Sequence, residues 1–129
     1  MRILIADDEE HCQNLLKSLF ADDSTVQITT ARDGAEAWWL LTEPQRRFDL
    51  GIFDLRMPVV DGLKLIERIR ATAPLQSLPV ILCTGVSDRD TVARAARLAI
   101  NRYVVKPYKL DGMRAKIRAI APSRPGSAA

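Results

Sequence analysis

Only one histidine, His11, and two cysteines, Cys12 and Cys83, occur among the 129 residues. A multi-histidine metal centre is therefore excluded, and His11 reads as a surface side chain. The cysteines, one on a predicted helix and one in a predicted strand, lack metal-ligand or redox spacing, so both read as reduced core thiols. No apolar run approaches the roughly 18 residues that span a bilayer. Met1-Arg2-Ile3-Leu4-Ile5 is too short for a signal peptide, so the expectation is a cytoplasmic protein with no membrane contact. One-sided charge is lacking too: 19 basic against 16 acidic residues leave +3. The basic residues are scattered over several helices, which implies no direct nucleic-acid partner. No glycine-rich phosphate loop follows the first apolar run, which argues against a nucleotide binder, and no internal repeat is present.

What is present is an ordinary globular composition, 47% hydrophobic and 27% charged, on a chain long enough to bury roughly two thirds of its unfolded surface as one domain. The most informative stretch runs from Gly51 to Gly62. Leu50, Ile52 and Phe53 read as a buried strand, Asp49 to Asp54, and Pro58 with Asp61-Gly62 reads as a loop before a helix. Asp54 thus stands at the strand's carboxyl edge, where open parallel sheets gather their chemistry. Asp61, directly before the amphipathic run Leu63 to Ile69, fills the N-cap role better than Asp54 does.

The remaining chain repeats the alternation. Arg2 to Ala6 is a strand running into Asp7-Asp8-Glu9-Glu10, and Glu9 and Glu10 suit a helix start whose stripe is Cys12, Leu15, Leu16 and Leu19. Val26 to Thr30 is a second strand. Ala35, Trp38 and Leu41 then fall on one helical face, with Trp39 and Leu40 pointing away. Leu78 to Cys83 is a fourth strand ending at Thr84-Gly85. Ser87-Asp88-Arg89-Asp90 has capping-box spacing for a fourth helix with inward Val92, Ala95, Ala96 and Leu98. Tyr103 to Val105 is a short fifth strand, and Leu110, Met113, Ile117 and Ile120 mark a final helix. Gly112 inside that helix costs roughly 1 kcal/mol relative to alanine. Residues 1–121 read as the domain and 122–129 as a flexible tail or the start of a linker. Five strands alternating with five helices give a doubly wound, five-stranded parallel α/β sheet covered on both faces.

Parallel strands bring Asp7, Asp8, Asp54, Thr84 and Lys106 to one rim. Three carboxylates in proximity raise one another's pKa unless a cation intervenes, and an open site of few acids suits Mg²⁺. With Lys106 the formal charge is −2, which Mg²⁺ neutralises. Asp54 can then attack phosphorus to form an acyl phosphate, while the Lys106 ammonium and Thr84 hydroxyl pair with phosphoryl oxygens.

Asp7-Asp8, Asp54 through Met57-Pro58 to Asp61-Gly62, Thr84, and Tyr103 with Lys106-Pro107 together resemble the receiver domains of bacterial two-component response regulators, over about Arg2 to Ile120. The resemblance implies a flavodoxin-like (βα)5 fold with strand order 2-1-3-4-5 and Asp54 as phosphoacceptor. Asp7, Asp8, Asp54 and the Arg56 backbone carbonyl would hold Mg²⁺, and Thr84 and Lys106 the phosphoryl oxygens. It also implies a cis bond before Pro107 and a switch in which Thr84 and Tyr103 move, changing the surface of the fourth helix, fifth strand and last helix. The implied partners are a sensor histidine kinase or histidine phosphotransfer protein and a downstream effector protein or domain; a phosphorylation-dependent homodimer is compatible with it. Such a chain is a signalling phosphoacceptor rather than an enzyme.

Three departures stand out. Ala99 replaces the usual glycine after the fourth helix, so that helix is expected to run on, with Asn101 as the left-handed cap. Gly85 follows Thr84 where alanine is common. Arg56, two residues after Asp54, is expected to lengthen the phosphoryl lifetime. Two rivals keep the sheet. A haloacid-dehalogenase-type phosphatase needs a second acid where Arg56 stands, and a non-phosphorylated interaction module usually lacks an acceptor, acid or lysine that is present here. No helix-turn-helix or second globular pattern follows Ile120, which suggests either a regulator that docks on another protein or a linker beginning at Pro122.

Overall fold

The computed structural model describes residues 1–85, 90, 93 and 96–120. Strands β1 (Arg2–Ala6), β2 (Gln27–Ala31), β3 (Leu50–Asp54), β4 (Val80–Thr84) and β5 (Arg102–Val105) form one sheet in the order β2-β1-β3-β4-β5. Every neighbouring pair is parallel. The doubly wound sheet and its order are those expected, and the chain reverses its direction of travel across the sheet between β1 and β3, the position where such folds open a crevice.

Period-two alternation sorts the strand side chains onto two faces. Leu4, Ala6, Phe53, Val80 and Leu82 pack under α2 (Gly34–Thr42) and α3 (Gly62–Arg70). Ile3, Ile5, Ile52, Ile81 and Cys83 pack under α1 (Glu10–Ser18) and the C-terminal helix (Leu110–Ile120). β3 and β4 are buried along their whole length, as central strands covered on both sides must be. Asp61 caps α3 by accepting the Lys64 N–H at 2.8 Å, as expected, and Asp33 caps α2 through the Glu36 N–H at 2.8 Å.

Several expectations are corrected. The inward face of α2 is Gly34, Ala37, Leu40 and Leu41; Ala35 is exposed and Trp38 half-buried, while Trp39 is 64% exposed as anticipated. The bulk of Trp38 suggested the wrong phase. Gly34 sets the right one, because a Cβ there would lie 2.2 Å from the Val60 carbonyl oxygen, so the helix seats its glycine against the loop after β3. Cys83 is buried as expected, but Cys12 is only half-buried, since it faces the polar rim. Ala96 is exposed and Leu98 partly buried; Val92, Ala95 and the Ser87–Arg89 part of the capping box lie outside the described residues, as does the tail from 121 onward.

The helix before Ala99 does not run on. A 3-10 turn, Ala96–Leu98, ends there and Ala99 itself takes φ 54°. Asn101 has other work. Its Oδ1 accepts the Val80 N–H at 2.9 Å, and its own N–H donates to the Val80 carbonyl at 3.0 Å. The left-handed corner is held by the Arg70 guanidinium, which donates to the Leu98 carbonyl at 2.6 Å and the Ala99 carbonyl at 2.9 Å.

Candidate functional site

Each strand end delivers its residue because the apolar run stops there. Asp7 follows β1, Asp54 closes β3, Thr84 closes β4 and Lys106 follows β5. Register brings them together: Asp54 pairs with Cys83 and Thr84 with Val105, and the Lys106 N–H donates to the Thr84 carbonyl at 2.7 Å. Three of the groups are buried, Asp7 at 3% exposure, Asp54 at 8% and Thr84 at 3%.

The Lys106 ammonium sits between the two buried acids, 2.9 Å from Asp7 Oδ2 and 3.2 Å from Asp54 Oδ2. The peptide bond before Pro107 is cis, as the resemblance implied. Burial raises the Asp54 carboxyl pKa above the usual range, reinforced by Asp7 and opposed by Lys106 and by the Arg56 backbone N–H that Asp54 accepts. For Lys106, burial favours the neutral amine, but the hydrogen bonds and fields of Asp7 and Asp54 outweigh it and hold its pKa above the ordinary value. Two buried carboxylates thus share a single ammonium, which leaves the pair with a formal charge of −1 when both are ionised.

Oxygen donors for a further cation are in place. One carboxylate oxygen from each of Asp7, Asp8, Glu9 and Asp54 lies within 4.8 Å of the others. Asp8 and Glu9 are exposed, so the cluster opens to solvent on one side. An all-oxygen set with an open face is the donor chemistry of a hard divalent ion that keeps waters. An open groove of about 550 Å³ runs from Asp8 along Arg56, Met57 and Pro58 to Asp61. The loop between Pro58 and Asp61 is strained: Val59 takes φ 69° while the Val60 N–H donates to the Pro58 carbonyl at 2.8 Å, a γ-turn of the rare positive-φ kind. Gly62 lies directly against the acceptor strand, where a Cβ would come 2.3 Å from the Asp54 carbonyl oxygen.

All the expected acids, Thr84 and Lys106 therefore meet at one rim, and Arg56 flanks it with an exposed side chain. Tyr103 is half-buried and packs against the core under α2 and α3. Sequence reasoning missed three groups. Glu9 reads as helix-start charge, yet its carboxylate joins the cluster and takes the formal charge with Lys106 to −3. The Cys12 Sγ receives a hydrogen bond from Lys106 at 3.7 Å, and burial first, then the Asp7 charge, pushes its thiol pKa up. Gln13 is buried beneath Asp7. Its spacing to Leu16 and Phe20, three and seven residues, was the available signal.

Residues 3–118 match the family model described as the response regulator receiver domain. The chain is 34% identical over 120 residues to the chemotaxis protein CheY of Pseudomonas aeruginosa, covering 93% of this chain and 95% of that protein. Among solved structures, the signal receiver domain of a signal transduction histidine kinase from Syntrophus aciditrophicus superposes with a TM-score of 0.82 at 29% identity, covering 95% of this chain and 92% of the other. The phosphorylated cyanobacterial phytochrome response regulator RcpA gives 0.78 at 25% identity, with coverage of 92% and 89%.

Proposed function

Because this chain belongs to the response-regulator receiver family, we propose that Asp54 accepts a phosphoryl group and that the change is read out by a partner protein. The observation that carries this reading is the Lys106 bridge between Asp7 and Asp54 inside a cluster of four carboxylates. The donor is a phosphohistidine of a sensor histidine kinase or phosphotransfer protein. An Asp54 oxygen forms the new O–P bond while the N–P bond breaks, and its electron pair stays on the imidazole nitrogen. RcpA was crystallised phosphorylated, which supports this fold as a phosphoacceptor.

Asp7, Asp8, Asp54 and the Arg56 carbonyl would hold Mg²⁺, with Glu9 beside them. When bound, the ion offsets the acids' negative charge and lowers the electrostatic barrier to an approaching phosphoryl group. The buried side of Asp54 limits water, and Lys106, already oriented by two acids, is placed to pair with a phosphoryl oxygen. Thr84, at the adjacent strand end, would donate its hydroxyl to another. Thr84 and Tyr103 form the switch, and the surface near β5 and the C-terminal helix is where an effector protein or domain would dock. Arg56, beside the acceptor, would slow hydrolysis.

Intact-mass measurement after incubation with Mg²⁺ and a small phosphodonor should show one base-labile phosphoryl on the wild type and none on Asp54→Asn. An unchanged wild-type mass overturns the reading.

A further inference from the structure

Asp7 lies one residue beyond β1 and is fastened at four points. Its N–H donates to the Ala31 carbonyl at 3.0 Å. Its Oδ1 accepts the Glu9 N–H at 2.9 Å and its Oδ2 accepts Lys106 at 2.9 Å. Its carbonyl accepts the Gln13 amide nitrogen, Nε2, at 2.7 Å. The same Nε2 reaches the Ala31 carbonyl at 3.3 Å. Gln13 stands on α1, 7% exposed, and a buried amide is tolerated only when such partners satisfy it. One side chain therefore ties α1 to the ends of both β1 and β2. The Gln13 N–H also donates to the Glu9 carbonyl at 3.2 Å, which closes the acidic turn on itself.

We infer that Gln13 is a positioning residue: by holding the Asp7 carbonyl it fixes the direction of the Asp7 carboxylate, and so sets the rim's affinity for a divalent cation. This rests on the reading of the rim given above. A residue that only filled core volume would need its size and not its N–H donors. Groups that orient a metal ligand, by contrast, commonly change metal affinity about 10- to 100-fold when lost.

Gln13→Met keeps the length of the side chain and removes both donors; Gln13→Ala removes the donors and admits water to the Asp7 carbonyl. Mn²⁺ binding to the full chain, read by electron paramagnetic resonance of the free ion with Mg²⁺ as competitor, separates the cases. Gln13→Met, folded by circular dichroism, is expected to bind Mn²⁺ about tenfold more weakly than wild type, with Gln13→Ala weakened in the same direction. Wild-type affinity in either folded variant, alongside weakened binding in Asp7→Asn, overturns the inference and leaves the reading of the site standing. Failure of both variants to fold also overturns it, since Gln13 would then serve the fold. Wild-type Mn²⁺ binding no tighter than that of Asp7→Asn and Asp54→Asn overturns the reading of the site itself.

Discussion

Ala99 shows how much a single residue can cost and what offsets it. A left-handed backbone at alanine, φ 54°, carries a penalty of about 1–2 kcal/mol that glycine escapes. Arg70 answers it by donating to the carbonyls on both sides of that corner and to those of Gln76 and Leu78. Burial lowers the Arg70 pKa, but the guanidinium stays charged and meets its acceptors with several N–H groups. Ala99→Gly should therefore raise the unfolding free energy by about 1 kcal/mol, measured by urea titration; an unchanged or lower midpoint would show that the corner is not strained. The sequence announced an exception here, alanine in place of glycine, but not its resolution. Asn101 had the side chain for a left-handed cap, and only the pairing with Val80 reveals that it is engaged elsewhere.

At the scale of elements, two glycines of similar sequence context have opposite consequences. A Cβ at Gly112, inside the C-terminal helix, meets nothing within 4 Å, so Gly112→Ala should add about 1 kcal/mol and raise the melting temperature by a few degrees. A Cβ at Gly62, the first residue of α3, would strike the Asp54 carbonyl oxygen. Gly62→Ala should cost about 1–3 kcal/mol and weaken phosphorylation, because α3 can retreat only by moving the acceptor strand. Thermal melts of both variants check the signs. The strands were legible because their apolar runs stop at Asp7, Asp54, Thr84 and Lys106, so the site's outline came with the fold. The α2 face was not, since its phase depends on close approach by a glycine rather than on the heaviest side chain. Gln13 was missed for a related reason: a polar residue early in a helix reads as solvated until the helix is laid across the sheet.

The whole molecule should weaken in alkali. Burial raises the Cys83 thiol from an ordinary value of 9.0 to about 12, and burial also raises the pKa of Tyr108 and Tyr103 above the ordinary phenol range. Each group keeps its proton longer when folded than when unfolded. Above about pH 9 the unfolded chain holds fewer protons, so stability is intact below that pH and falls as pH rises toward 12. Urea midpoints measured across pH 8 to 11 should decline steadily, and a flat profile would contradict the burial of these groups.

The partition of the interior by the central sheet has a practical outcome. Trp38 and Trp39 both belong to α2, whereas Cys12 and Cys83 both belong to the opposite layer. Indole emission and thiol alkylation are thus two built-in gauges, each blind to the other's side, and denaturation curves from the two would superimpose if both halves melt as one cooperative unit.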